Sequence, residues 1–305
     1  MIECVCAVFP YVTTILLIST VYAVFALGLN LEWGFTGLIN FGHVAFLAIG
    51  AYTTAMLNMG GCPLVLSVVA GVVVAGLFGL LLGVPTLRLR EDYLAIVTIG
   101  FSEVLRFVLL NEGWLTRGPF GIHGFDRPFQ DMIPHQYYNI FLLILFVAIL
   151  TIVYISLEKL VRSPWGRVLK SIREDETVPT ALGKNVFSYK LQSLAIGSAI
   201  AGLAGAMLAF YLQYIDPGTF KPIETFYAWI IVILGGTASN KGTVVGALIL
   251  WTLFSATKFI NPYLPFTAHQ MGAFRMIMIG LLLMLLMMYK PEGIFGKKEE
   301  LALSD

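Results

Sequence analysis

The sequence has little charge. Lysine, arginine, aspartate and glutamate make up 12% of its 305 residues, about half the ~25% of an ordinary soluble domain. So few charges cannot cover a globule of this size, which argues against a soluble enzyme and a disordered tail. The charge has no dominant sign either. With 19 basic and 18 acidic residues the formal net charge is +1, which argues against a nucleic-acid binder. Cysteine is scarce: Cys4, Cys6 and Cys62 give neither a disulfide framework nor metal-ligand spacing. Cys4 and Cys6 have no histidine or second cysteine pair nearby and read as small apolar residues. No G-x-x-x-x-G-K-[ST] run is present, so the chain does not bind ATP by a P-loop of its own. Asp126, Asp216 and Glu224 are scattered and suggest no paired-carboxylate site, so no catalytic residue, cofactor or metal is expected. The first apolar run has no basic segment before it, so no cleaved signal peptide is indicated.

What the chain does have is long apolar runs, with 58% apolar residues overall. A helix needs about 20 such residues to cross a bilayer. The candidates are Ala7–Leu29, Leu38–Met59, Pro63–Val84, Tyr93–Leu110, Tyr138–Leu157 and Leu191–Leu212, then Phe226–Leu234, Val244–Phe259 and Gly272–Tyr289. Phe226–Leu234 is too short alone and is expected to run through Gly235-Gly236 as a broken or short span. Lys258 and Arg275 sit near the ends of the last two runs. The expected fold class is all-α: a polytopic membrane helical bundle of about nine transmembrane segments, one domain over residues 1–305.

Orientation follows from the basic residues. Seven of the 19 fall between Glu158 and Lys190, so this loop is expected in the cytoplasm. Arg88, Arg90, Lys290, Lys297 and Lys298 then fall inside as well, and the Asn111–Tyr137 loop falls outside. Nine spans with the N-terminus outside and the C-terminus cytoplasmic satisfy these placements. Small residues at helix-packing spacing, Gly79-x-x-x-Gly83, Gly197-x-x-x-Ala201-x-x-x-Gly205 and Gly242-x-x-x-Gly246, suggest tight bundling.

Several polar features stand out. Ser163-Pro164-Trp165-Gly166-Arg167 breaks one helix and opens another, and Val168–Glu176 reads as a short amphipathic helix that Pro179 then interrupts. Two readings of this loop stay open: a docking element for a soluble partner, or a solvated basic loop that only sets topology. Glu103 and Arg106 lie three apart on one helix face, either pairing structurally or serving a pathway. Asn40 and His43 also share a face, with a proton relay and a hydrogen-bonded structural histidine both open. Gly34, Gly37 and Gly42 flank them, so irregular backbone is expected there, buried or lining a cavity. Gly235-Gly236-Thr237 offers a similar break.

Gly34–Phe46, running on to Gly50-Ala51-Tyr52, resembles the glycine-rich signature of branched-chain amino acid ABC transporter permeases, LivM-type subunits in particular. So do Leu87–Arg90 with Asp92–Thr98, the outer-loop run Thr116–Gly124, and Ser163–Arg167 with Ile172–Glu176 and Ala181–Gly183. Leu234-Gly235-Gly236 with Gly242 and Gly246-Ala247, and the closing Pro291–Gly296, complete a resemblance that covers Gly28 to Gly296. Permeases for urea and short amides share this architecture.

The resemblance implies a multi-pass protein of a prokaryotic plasma (inner) membrane that provides a translocation pathway by alternating access. It implies a second permease subunit, two cytoplasmic ABC ATPases that hydrolyse ATP, and an external or periplasmic substrate-binding protein. The 158–190 loop would couple to the ATPases through Arg167, Lys170, Arg173, Glu174, Asp175, Glu176, Leu182 and Gly183. Glu176–Gly183 departs from the importers' E-A-A-x-x-x-G pattern, with Thr and Val for the alanines and the ends seven rather than six positions apart. Candidate pathway residues are Asn40, His43, Glu103, Arg106, Gly235 and Gly236. An ion-coupled secondary transporter is the competing reading; it needs several mid-membrane carboxylates, and Glu103 is the one fair candidate.

Overall fold

Among the described residues nine helices account for the nine apolar segments. They are α1 (Ile2–Leu29), α2 (His43–Met59), α3 (Leu64–Thr86), α4 (Glu91–Asn111), α6 (His135–Arg162), α9 (Val186–Leu212), α10 (Ile223–Gly235), α11 (Asn240–Ile260) and α12 (Ala268–Tyr289). Short helices α5 (Gly113–Thr116), α7 (Pro164–Glu174) and α8 (Thr177–Ala181) lie between them. The structure, a computed structural model, describes residues 2–88, 91–130, 132–260, 268–289 and 293–296. Leu89, Arg90, Lys290, Pro291, Glu292, Lys297 and Lys298 lie outside the described residues, as do the side chains of Cys4, Cys6, Lys258 and Arg275.

Among the described residues five helices are long and apolar enough to cross a membrane by themselves, and α10 with α11 forms a further pair bent by 118°. The chain is a multi-pass membrane protein. In lipid the apolar effect does not drive helices together, so close packing of small residues must. The arrangement follows that logic. Helices α3, α4 and α6 present large apolar side chains outward, such as Leu81, Ile96 and Ile152. Helix α9 runs through the centre against α1, α2 and α3. It buries Ser193, Gly197, Ser198, Ala201, Gly202, Ala204 and Gly205. The expected 197–201–205 stripe is this seam: a Cβ on Gly205 would stand 2.0 Å from the Leu47 carbonyl oxygen of α2.

At one end of the bundle β1 (Ile122–His123) pairs antiparallel with β2 (Tyr214–Ile215), Ile122 opposite Ile215. The two strands tie the 112–134 loop to the end of α9. At the other end lie α7 and α8. Helix α7 buries Gly166, Leu169 and Ile172 against Leu27, Leu31, Phe35, Leu157 and Val161.

Two expected boundaries are corrected. The segment drawn as Leu38–Met59 becomes helical only at His43: Gly37 and Leu38 give their amides back to the Trp33 and Glu32 carbonyls, and Phe41 and Gly42 give theirs to side chains. Asn40 Oδ1 accepts from the Gly42 N–H at 2.9 Å, and Thr98 Oγ1 accepts from the Phe41 N–H at 3.1 Å. The loop helix starts at Pro164 rather than Val168, since Pro suits the first helical position. Pro179 does not interrupt it: α7 has already ended, and Pro179 sits in the first turn of α8, where its missing N–H has no helical partner to lose.

Candidate functional site

Helix α1 does not stop at Leu29. It widens into a π-helical turn, Asn30–Phe35, before the chain becomes irregular. Such turns insert an extra residue and often mark functional sites. Glu32 in this turn is fully buried. A buried carboxylate costs several kcal/mol unless it is partnered. Asn40 Nδ2 donates to Glu32 Oε2 at 2.8 Å, and His43 Nδ1 lies 3.3 Å from the same oxygen. The latter is a charge contact and not an aligned hydrogen bond, for His43 Nδ1 and Glu32 Oε1 both lack a hydrogen-bond partner. His43 Nε2 lies 3.2 Å from the Phe25 carbonyl oxygen. A carbonyl only accepts, so Nε2 carries a proton.

Other helices hold the irregular segment in place. The Val44 N–H donates to Thr225 Oγ1 of α10 at 2.9 Å, and Trp229 Nε1 donates to the Asn40 carbonyl oxygen at 3.2 Å. Beside it runs a row of rings, Trp33–Trp229–Phe41–Phe226, with successive centroids 4.3, 4.8 and 5.5 Å apart. The site thus places an aromatic row next to non-helical backbone.

Gly235 and Gly236 form the bend between α10 and α11. A Cβ on Gly235 would meet the Gly242 carbonyl oxygen at 2.1 Å, and Gly236 has φ +107°, which disfavours any side chain. The carbonyls at the end of α10 are capped from elsewhere. Ile294 N–H donates to Leu234 O at 3.0 Å and Phe295 N–H to Gly235 O at 2.9 Å. The bend touches the π turn: Ala238 N–H donates to Asn30 Oδ1, and Asn30 Nδ2 donates to Asn240 Oδ1, both at 3.1 Å. Asn240 Nδ2 in turn donates to Glu158 Oε2 at 3.1 Å, and Arg162 holds Glu158 Oε1 at 2.6 Å.

The π turn also meets the basic loop. Arg173 of α7 donates through Nη1 to the Gly34 carbonyl oxygen, and the Lys170 ammonium lies 5.7 Å from the centre of the Phe35 ring. Beyond them α8 stands out from the bundle. Leu182 is 73% exposed and Val178 50%, so apolar side chains sit uncovered among the exposed Arg167, Glu174, Asp175, Glu176 and Gly183. Lys190 pairs with Glu176, and the Thr177 backbone N–H donates to Asp175 Oδ1 at 2.8 Å, holding that carboxyl below its usual range.

The structure brings Asn40, His43, Gly235 and Gly236 around one π turn. Glu103 and Arg106 do not join them. They pair with each other at 2.7 Å on α4, side chains 30% and 20% exposed. The sequence pattern does not single out Glu32, Asn30, Asn240, Thr98, Thr225 or Trp229. For Glu32 there was a signal: it is the sole Lys, Arg, Asp or Glu between Glu3 and Arg88.

The family described as branched-chain amino acid transport system / permease component matches residues 11–287. The chain is 33% identical over 301 residues to the high-affinity branched-chain amino acid transport system permease protein LivM of Escherichia coli K12, covering 91% of this chain and 68% of that one. It is 27% identical to the probable branched-chain amino acid transport permease protein LivM of Methanocaldococcus jannaschii, covering 94% of each. With the permease protein BraD of Pseudomonas aeruginosa the identity is 26%, over 93% of this chain and 94% of the other. No solved structure matches significantly. Taken with the helical bundle and its broken spans, these matches place the chain in the family of branched-chain amino acid transport system permease components.

Proposed function

We propose that this chain is a membrane-spanning subunit of an ATP-driven ABC importer for branched-chain amino acids, in a prokaryotic plasma membrane. The N-terminus lies outside and the 158–190 loop inside. The chain itself hydrolyses nothing. Two cytoplasmic ATPases dock on α7 and α8, a second permease completes the pathway, and an external binding protein delivers the substrate. ATP binding closes the ATPases and displaces the docked loop, and the bundle switches between outward and inward access as rigid bodies.

The observation that carries this reading is the link from Arg173 to the Gly34 carbonyl. It joins the most basic loop to the π turn, and the π turn to the irregular segment through Glu32, Asn40 and His43. A push on α7 therefore reaches the break between α1 and α2 without passing through solvent. The aromatic row beside that break suits an apolar side chain. Support also comes from what the relatives are named for transporting.

The test is uptake into proteoliposomes holding the complete transporter, with labelled leucine outside and ATP inside. Leucine uptake and leucine-stimulated ATP hydrolysis are expected, and deletion of 168–183 should abolish both. Uptake of urea or a short amide without leucine would refute the substrate class. A deletion variant that still binds the ATPases and transports would refute the docking role. Arg173→Ala should keep ATPase association but lose transport about 10-fold or more, the loss of a charged hydrogen bond worth ~1.5–3 kcal/mol.

A further inference from the structure

A cavity of about 450 Å³ opens where the inner end of α6, helix α7 and the start of α11 converge. Among the described residues four basic side chains, Arg162, Arg167, Lys170 and Lys241, line it against one carboxylate, Glu158. Arg162 holds that carboxylate at 2.6 Å, which leaves three cations over. The N-terminus of α11, a helix of 21 residues, meets the same space and adds the positive end of its dipole. The site is built to hold an anion.

A second hollow, about 320 Å³ and strongly apolar, runs up the seam between α6 and α11. Leu150, Thr151, Tyr154 and Val244 line it, and Lys241 lines both hollows. Leu150 stands about 18 Å along the α6 axis from Arg162, at ~1.5 Å per residue. That distance is close to the ~15 Å depth of one hydrocarbon leaflet. An anion pocket at the basic end of the bundle shares Lys241 with an apolar groove, and the two together reach about one leaflet's depth along α6, the proportions of one phospholipid. Helix α6 is suitably placed, with only 17% of its span buried inside the bundle.

We propose that this seam binds an anionic phospholipid, its phosphate among Arg167, Lys170 and Lys241 and one acyl chain along Tyr154 and Val244. A docked acidic protein segment is the competing occupant. It accounts for the basic ring but not for the apolar groove that shares Lys241, and the uncovered apolar tip at Leu182 gives a protein partner a separate place to land.

The test is native mass spectrometry of the full chain released from nanodiscs of phosphatidylcholine alone or with phosphatidylglycerol or cardiolipin, with inorganic phosphate as a parallel titrant. Adducts of the anionic lipids are expected to persist where phosphatidylcholine is lost. Lys241→Gln should lower their retention about fivefold, the value of one basic residue at an anionic surface, and Lys241→Arg should restore it. Val244→Trp fills the groove and should reduce lipid retention without altering phosphate binding. Equal retention of zwitterionic and anionic lipids would overturn the proposal. So would a Val244→Trp variant with unchanged lipid adducts, which would leave a simple phosphate site. A Lys241→Gln variant that keeps its lipid but loses ATPase association would instead assign the pocket to a protein partner.

Discussion

Replacing Glu32 should loosen the chain in proportion to how many partners the substitute abandons. The carboxylate is fully buried, accepts from Asn40 at 2.8 Å and faces His43 at 3.3 Å. Glutamine keeps the shape but offers one acceptor and one donor. If its oxygen serves Asn40, the charge contact with His43 is lost; if its amide turns to His43, Asn40 is left unpaired. Either choice costs about 1–3 kcal/mol for one buried polar group. Alanine strands both partners and opens a void, which costs about 3–5 kcal/mol when a buried pair is broken. Hydrogen bonds between membrane helices measure weaker than in water, which favours the lower half of each range. The assay is denaturant unfolding of the full chain in detergent, run as a cycle with Asn40→Ala. Glu32→Gln should fall between wild type and Glu32→Ala, with a coupling to Asn40 of about 1 kcal/mol or more. An alanine variant within ~0.5 kcal/mol of wild type, or a coupling near zero, would refute the claim that Glu32 organises the break.

Other substitutions separate close packing from charge. Gly235→Leu should prevent assembly of the α10–α11 bend, since its Cβ would stand 2.1 Å from a backbone oxygen; loss of monodisperse protein on size exclusion would show it. Arg106→Leu strands Glu103 in an apolar span at an insertion cost of roughly 2.5–3.5 kcal/mol, so the single variant should insert worse than Glu103→Leu/Arg106→Leu in a membrane-insertion assay. Removing the chain from residue 291 onward takes two backbone donors from the end of α10 and should lower stability by about 1–3 kcal/mol, read as a shift in thermal unfolding.

Features made within a few residues were legible in the sequence. The Glu103–Arg106 pair follows from i,i+3 spacing, and the end of α6 follows from Ser163-Pro164. Among the described residues the nine apolar runs match nine helices, since a long apolar run in lipid must satisfy its backbone within a helix. Asn40 and His43 were legible as polar residues in an apolar run, but the residue that unites them was not. Glu32 sits where one run ends, where a charge reads as an ordinary interface residue. Its meaning depends on a π turn that returns it to the interior, and hydropathy does not report helix winding. The Arg173–Gly34 contact spans 139 positions, and one of its partners is a backbone carbonyl that leaves no trace in composition. The extra helix α8 was hidden by Pro179, which looks like a breaker until its place in a first turn is known.

The hydrogen bonds from Ile294 and Phe295 to the end of α10 also constrain the order of synthesis. Helix α10 leaves the ribosome well before the residues that complete it. Between them lie α11 and α12. The carbonyls of Leu234 and Gly235 therefore wait for their donors until both later helices have been made and residues 293–296 have returned to the bend.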